Sequence, residues 1–474
     1  MYVCCGSANG IEIRKVQYKD AKLTVDDPVK LVPNCHNFSF SPDYKYVCLY
    51  TKSGVHSKEF PDKFVNVYRF DINKGSIELM HEHPVPNILS VKFSPRSTYI
   101  CIMSRRTANT DQEKIPLVLI IKTETGEVVN SFNYNAQKVP VIFWSDDEKV
   151  LATSHTNGIR FTETQADGTS ATKECELEKL YACAFTSTRK GLRFAAVYGE
   201  NPKKMKILEY PNFENHIAYR PIMIGETFTI KISPNGSSAV AIGLKNESDS
   251  TFYGESYAFY LNDQNRQDLN QKKSGPIHTV EYSPNGDKFV LISGHVPPAV
   301  QVFYEKLHTN GDIGEFSLNN VRYSSNPNIA VIGGFGSFTG TIMFYDLASR
   351  EKISEGEAPY TSEWSWSPCG RLVLSAVLYP KMMVDNEFRI INHMSQIIFR
   401  QKGTELTQAE WVGVEKALPL PNIKAPVIAK PQAAAYIPPH LRNKAPGTTT
   451  AGVPKYPPGF APKNGESSIK KSKR

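Results

Sequence analysis

A chain of 474 residues with 40% hydrophobic and 22% charged side chains has ordinary globular composition, which excludes disorder throughout and leaves room for about three average domains or one large repeat fold. Lys and Arg number 55 against 47 Asp and Glu, yet nine of the basic residues and only Glu466 of the acids fall in residues 426–474, so this end carries the whole surplus of +8 on a neutral body. Charge placed so favours polyanions such as nucleic acid or an anionic surface.

Cys4, Cys5, Cys35, Cys48, Cys101, Cys175, Cys183 and Cys369 include no Cys-x-x-Cys pair and lack the spacing of a disulfide scaffold, so reduced, buried thiols are expected. Met1 to Gly10 lacks the charge and apolar pattern of a signal peptide, and apolar runs such as Ile115 to Ile121 are too short to span a bilayer. A cytoplasmic protein with no membrane partner is the expectation.

In chain order, strand-like segments at Ile11–Val16 and Lys22–Val25 come first. An apolar or aromatic residue followed by a hydroxyl residue and a turn then recurs: Phe40-Ser41-Pro42, Phe93-Ser94-Pro95, Trp144-Ser145-Asp146, Phe185-Thr186-Ser187, Ile232-Ser233-Pro234, Tyr282-Ser283-Pro284, Tyr323-Ser324-Ser325 and Trp366-Ser367-Pro368. The hydroxyl residues are spaced by 53, 51, 41, 47, 50, 41 and 43, and a degenerate ninth copy is Trp411-Val412. In Ser233-Pro234-Asn235-Gly236 and its relatives Pro presets φ at the second turn position and Gly relieves strain at the fourth. Each turn feeds an apolar strand, as at Tyr46–Tyr50, Phe289–Ile292 and Leu372–Ala376. A second strand follows in most units, and Phe70-Asp71 and Tyr345-Asp346 stand where a WD repeat places Trp-Asp.

Short strands at this period, without helical periodicity, predict an all-β fold of four-stranded blades. One blade cannot cover both faces of its sheet, so blades stack in a ring. The spacing predicts a β-propeller over 1–425, most simply of nine blades with eight as the competing count, the N-terminal strands completing the last blade. Residues 426–474 are too rich in Pro and too poor in apolar groups to offset ordering entropy, and are read as a disordered, partly polyproline II tail.

No Gly-Lys dipeptide occurs, so a Walker-type phosphate loop is excluded as written, and His-Glu-x-x-His and Gly-x-Ser-x-Gly are missing. Gly333, Gly334, Gly336 and Gly340 miss the dinucleotide spacing and read as a flexible strand connection. His81 and His83 could share a strand face and a metal, but without a third ligand they read as exposed loop histidines. Asp146-Asp147-Glu148 occupies a marker turn rather than a carboxylate site. No catalytic residue, metal or cofactor is expected. Three basic pairs or clusters, Lys203-Lys204-Lys206, Arg105-Arg106 and Lys272-Lys273, are read as solvated loop groups. The candidate RNA or ribosome contacts are Arg442, Lys444, Lys455, Lys463, Lys470, Lys471, Lys473 and Arg474, because the tail joins charge to Tyr436, Tyr456 and Phe460, which can stack on bases.

Specific residues carry a family resemblance. Tyr253-Gly254-Glu255, Gly275-Pro276-Ile277-His278, Gly333-Gly334-Phe335-Gly336 with Gly340, Tyr345-Asp346, Ala435-Tyr436, Pro438-Pro439 and Leu441-Arg442-Asn443-Lys444 stand in an order that resembles the eukaryotic translation initiation factor 2A family. The resemblance implies a cytosolic WD-type propeller that binds the small ribosomal subunit and promotes initiator methionyl-tRNA delivery without being a GTPase. It also implies mRNA and other initiation factors as partners and offers no catalytic residue. Family members commonly extend further, through a Lys-rich, helix-prone segment. Two other classes compete. A propeller scaffold of initiation factor 3 should carry an RNA-recognition domain ahead of its blades, and a propeller hydrolase should show a convergent polar site at the channel.

Overall fold

The computed structural model describes residues 1–19, 22–32, 35–52, 64–72, 74–106, 116–135, 139–164, 170–245, 255–305 and 309–414. These residues form strands and turns, with no helix among them, in nine antiparallel sheets. Eight are built from consecutive strands. Blade 1 is Asn37–Phe40, Tyr46–Tyr50, Phe64–Asp71 and Ser76–Pro84; blade 2 is Ile88–Phe93, Tyr99–Ser104, Val118–Lys122 and Val128–Phe132. Blade 3 is Ile142–Trp144, Val150–His155, Gly158–Thr164 and Ser170–Glu176; blade 4 is Ala182–Thr188, Gly191–Tyr198, Lys203–Glu209 and Ala218–Ile222. Blade 5 is Thr227–Ile232, Ser238–Lys245, Glu255–Asn262 and Arg266–Asp268; blade 6 is Ile277–Tyr282, Lys288–Ser293, Ala299–Tyr304 and Thr309–Glu315. Blade 7 is Asn320–Tyr323, Ile329–Gly333, Thr341–Asp346 and Glu351–Glu357; blade 8 is Glu363–Trp366, Leu372–Val377, Glu387–Asn392 and Ile397–Lys402.

Blade 9 joins the two ends of this ring. Its first strand, Gln408–Val412, pairs with Tyr2–Ser7, with Tyr2 opposite Val412 and Val3 opposite Trp411. Gly10–Lys19 follows, and Lys22–Val25 and Val29–Val32 pair along different parts of it. The count of nine and the closure by N-terminal strands are therefore as the repeat spacing predicts. First strands touch between blades 1 and 2, 4 and 5, 6 and 7, 8 and 9, and 9 and 1.

What holds the ring is the layer between sheets. Nine apolar clusters fill the nine gaps, including the gap between blades 9 and 1, where Cys4, Ile11 and Val412 meet Phe38, Val47 and Phe70. The layers differ in material. Blades 1 and 2 meet through aliphatics such as Val65, Ile88, Ile100 and Ile121, whereas blades 3 and 4 meet through Phe161, Phe185, Phe194, Tyr210 and Phe213. At about 1.5–3 kcal/mol per buried large side chain, a sheet left with one bare face would forfeit most of what offsets its ordering entropy.

The marker hydroxyl has a specific task. Ser41, Ser94, Ser145, Ser233 and Ser367 each accept through Oγ the backbone N–H five residues on, from Tyr46, Tyr99, Val150, Ser238 and Leu372, at 2.9–3.1 Å. Ser283 does the same for Lys288 at 3.3 Å. The residue three after the marker takes a left-handed conformation: Gly236, Gly286 and Gly370 with φ of 69°, 76° and 69°, but Tyr44, Ser97 and Glu148 in the blades that lack glycine. Blade 7 departs from the rule, since Ser324 Oγ accepts the Asn326 N–H at 3.0 Å and the third residue on is Pro327, and blade 4 departs further. Thr186 and Ser187 lie inside the strand, and the chain reverses at Arg189-Lys190 instead.

Candidate nucleic-acid interface and inner rim

The tail candidates Arg442, Lys444, Lys455, Lys463, Lys470, Lys471, Lys473 and Arg474, and the tail reading itself, lie outside the described residues. The ring sorts the remaining basic groups by whether an acid meets them. Lys272 pairs with Asp312 at 2.9 Å and Lys273 with Glu315 at 3.1 Å, so this pair is neutralised on blade 6. Arg105 and Arg106 are exposed at the end of a described segment.

Lys203, Lys204 and Lys206 are corrected from a loop to a strand, the third of blade 4. Alternation explains the placement, because Met205 and Ile207 turn fully inward against blade 5 and hold the intervening lysine outward. Lys203 Nζ lies 5.6 Å from the ring centroid of Tyr181, and Lys206 Nζ lies 5.7 Å from that of Tyr198. Lys173 Nζ stands 5.6 Å from the Tyr210 ring in the same region. Among the described residues none of these four lysines makes an ion pair, whereas their neighbour Lys179 is bound to Glu200 at 2.5 Å. Ammonium groups braced on aromatic faces and outside ion pairs can meet phosphate, and the rings beside them can stack, although Lys203 also interacts with the Glu200 charge.

Other sequence candidates resolve into structural roles. His81 and His83 are half-buried on the last strand of blade 1, not in a loop, with His83 Nε2 3.0 Å from His81 Nδ1 and His81 Nε2 2.8 Å from the Thr123 carbonyl. Burial, then the neighbouring imidazole, holds His83 below its ordinary pKa. Among the described residues no group of three or more potential ligands surrounds a metal position. Asp147 accepts from Ser145 Oγ at 2.6 Å, and Glu148 accepts the Arg96 N–H at 2.6 Å, which ties blade 3's turn to blade 2's.

The glycine cluster of blade 7 is a packed connection and not a flexible one. A side chain at Gly334 would meet the Ser317 carbonyl, and Gly340, with φ of 92°, lies against Pro359. Between them Phe335 is clamped by Asn319, which accepts its N–H and donates to its carbonyl, both at 2.9 Å, and its ring packs on Trp364 of blade 8.

Sequence reasoning did not single out the inner rim. A cavity of about 540 Å³ opens there between the first strands of blades 7, 8 and 9, and its wall includes Arg322, Glu363, Trp366, Glu410 and Trp411, with Tyr44 at its turn end. Arg322 stacks on Trp364 at 5.1 Å and donates to the Trp364 carbonyl, while Trp366 Nε1 donates to the Arg322 carbonyl at 3.1 Å. Further around, Lys231 pairs with Glu281 across blades 5 and 6. Lys92, Lys231, Glu281, Arg322 and Glu410 all stand two residues before a marker, the one regularity by which the sequence announces rim positions.

Comparison with known proteins places these features. The domain described as Eukaryotic translation initiation factor eIF2A matches residues 239–409, from blade 5 to the first strand of blade 9, and contains the Gly-Gly-Phe-Gly connection. Eukaryotic translation initiation factor 2A of Dictyostelium discoideum is 27% identical over 395 residues, covering 79% of this chain, which spans 64% of that relative's length. A component of eukaryotic translation initiation factor 3 from Xenopus laevis is 24% identical over 156 residues, 30% of this chain and 22% of that one. A crystal structure of a eukaryotic initiation factor superposes with a TM-score of 0.71 at 22% identity, over 86% of this chain and 98% of its own, and supports the fold. The likeness to the eukaryotic translation initiation factor 2A family that the motifs carry is thus shown by the family's own domain and by relatives of that name.

Proposed function

We propose that the chain acts in the cytoplasm as a non-enzymatic initiation factor that binds the small ribosomal subunit and promotes delivery of initiator methionyl-tRNA without hydrolysing GTP, with mRNA and other initiation factors as further partners. The observation that carries the reading is the unpaired lysine group of blade 4 on a propeller bearing the factor 2A domain. Rigid blades hold Lys203, Lys204 and Lys206 as a fixed set of phosphate contacts, and the tail residues Arg442 to Arg474 add charge. No phosphate-cradling loop occurs in the sequence, which agrees with a factor that leaves nucleotide hydrolysis to others.

Filter binding of initiator and elongator tRNA over a salt series tests the reading. The full chain should bind initiator tRNA more tightly, and changing Lys203, Lys204 and Lys206 together to Gln should lower the salt slope by about 2 to 3, the value for three lost phosphate contacts. The same change at Lys272 and Lys273, already neutralised, should leave it unaltered. Equal slopes for both variants would sink the lysine group's role.

The match to a component of initiation factor 3 favours a second reading, a scaffold within that larger factor. Sedimentation separates the two: binding to bare small ribosomal subunits supports the first, and binding only when the other components of initiation factor 3 are added supports the second.

A further inference from the structure

We propose that the inner rim of blades 8 and 9 is a docking site for one basic side chain, arginine or lysine, presented by an extended segment of a protein partner. The site is independent of the lysine group on blade 4, and the inference does not rest on RNA binding.

Charge is the first argument. Glu363 and Glu410 come from adjacent first strands, and neither makes an ion pair among the described residues. Glu410 has one close partner, the Gln408 amide, which donates at 2.7 Å. Water reaches Glu410, yet the ring encloses it, and burial followed by the charge of Glu363 raises its carboxyl above the ordinary range, against the opposing pull of Gln408 and Lys52. The other rim carboxylate is neutralised, since Glu281 holds Lys231. Arg322 of the same cavity wall is committed elsewhere, since it lies over Trp364 and donates to its carbonyl, and Lys52 acts on Glu410 without forming an ion pair. Two exposed carboxylates side by side on the rim, neither of them in an ion pair, favour a cation between them.

Shape is the second. The cavity wall combines Trp366 and Trp411 with Tyr44 beside these acids. Trp411 is 8% exposed, and its indole N–H, buried in that wall, finds no acceptor among the described residues. Aromatic faces next to a carboxylate suit a guanidinium or ammonium, which gains cation–π attraction and a charge-assisted hydrogen bond together. Alternatives fit less well. A phosphate would meet like charge, and a divalent metal would lack a third protein ligand among the described residues. An extended peptide reaches the site because the cavity opens along the channel between turns at Pro42 and Pro368.

The test uses the full chain and three blocked tripeptides, N-acetyl-Gly-Arg-Gly-amide, its lysine counterpart and its citrulline counterpart, the last having arginine's shape without its charge. Calorimetry and tryptophan fluorescence should show the arginine and lysine peptides binding at least about tenfold more tightly than citrulline. The change of Glu363 and Glu410 together to Gln should abolish that preference, and Glu410→Gln alone should reduce it. Trp366→Leu should weaken all three peptides, and the Lys203, Lys204 and Lys206 variant should behave as the parent. An unchanged melting temperature and near-ultraviolet dichroism would show each variant folded. Citrulline binding as well as arginine, a preference that survives in the double Gln variant, or no binding of any peptide up to about 10 mM would overturn the proposal.

Discussion

Blade 8 is drawn from one run of chain, Glu363 to Lys402, whereas blade 9 joins strands that begin at Tyr2 to a strand that ends at Val412, with Thr407 donating to the Gly6 carbonyl from 401 positions away. Their treatment of acidic side chains differs as well. In blade 8, Glu387 holds Arg389 at 2.5 Å and Arg400 at 3.3 Å within its own sheet, while in blade 9 Glu410 makes no ion pair among the described residues. Blade 8 is thus locally complete, and blade 9 depends on groups from elsewhere. Closing a flexible loop of 400 residues would cost on the order of 5 kcal/mol, but eight stacked blades already bring the ends together, so the ladder forms at far smaller cost. The contrast teaches that the ring's weakest element is set by chain connectivity, since the apolar layers on either side of blade 9 are as full as the others.

The sharpest way to break this comparison is Val3→Asp. Val3 is fully buried among Leu372, Leu374 and Trp411, and an unpaired charge there should cost more than about 4 kcal/mol. Hydrogen exchange should show residues 2–7 losing protection ahead of blade 8; simultaneous loss would contradict an independent weak blade. Arg389→Met comes next. It strands the buried Glu387 with only the half-exposed Arg400, and should lower stability by about 3 kcal/mol in denaturant titration. Gln408→Leu probes the link from blade 9 to blade 1, where this amide accepts the Phe38 N–H at 3.1 Å and donates to the Phe38 carbonyl at 2.9 Å. A loss of about 1–3 kcal/mol is expected, because both backbone groups are left unpaired.

The smallest effect is a gain. Glu410 binds its proton more tightly folded than unfolded, so its contribution is full below the ordinary glutamate pKa of 4.5 and is lost as pH rises through the raised value. Glu410→Gln should therefore melt above the parent at pH 8 and converge with it toward pH 4. A constant difference across that range would mean that the carboxylate is not the cause.

How much of this was legible depends on the kind of signal. The marker hydroxyl could be read because its role is local: Ser233 binds Ser238 five residues away, and Gly236 supplies the conformation the turn needs. Thr186 misled for the same reason, since a strand can hold the same residue types, and only pairing with Arg193 reveals the later reversal. Lys203 to Lys206 gave the right cluster in the wrong element; the Met205-Lys206-Ile207 alternation was the overlooked evidence of a strand. The rim was nearly invisible, because Glu363 meets Glu410 and Tyr44 meets Trp411 only once the ring is shut. Acid partners for Lys272 and Lys273 lie some 40 residues away on the last strand of the blade, beyond any sequence rule.

Gly413 lies against Met1 and Tyr2. A permuted chain that linked residue 413 to residue 1 through a few glycines, and opened at the exposed Ala348-Ser349 turn of blade 7, would keep all nine sheets while exchanging their status. Blade 9 would become a run of ordinary hairpins, and blade 7 would inherit the seam.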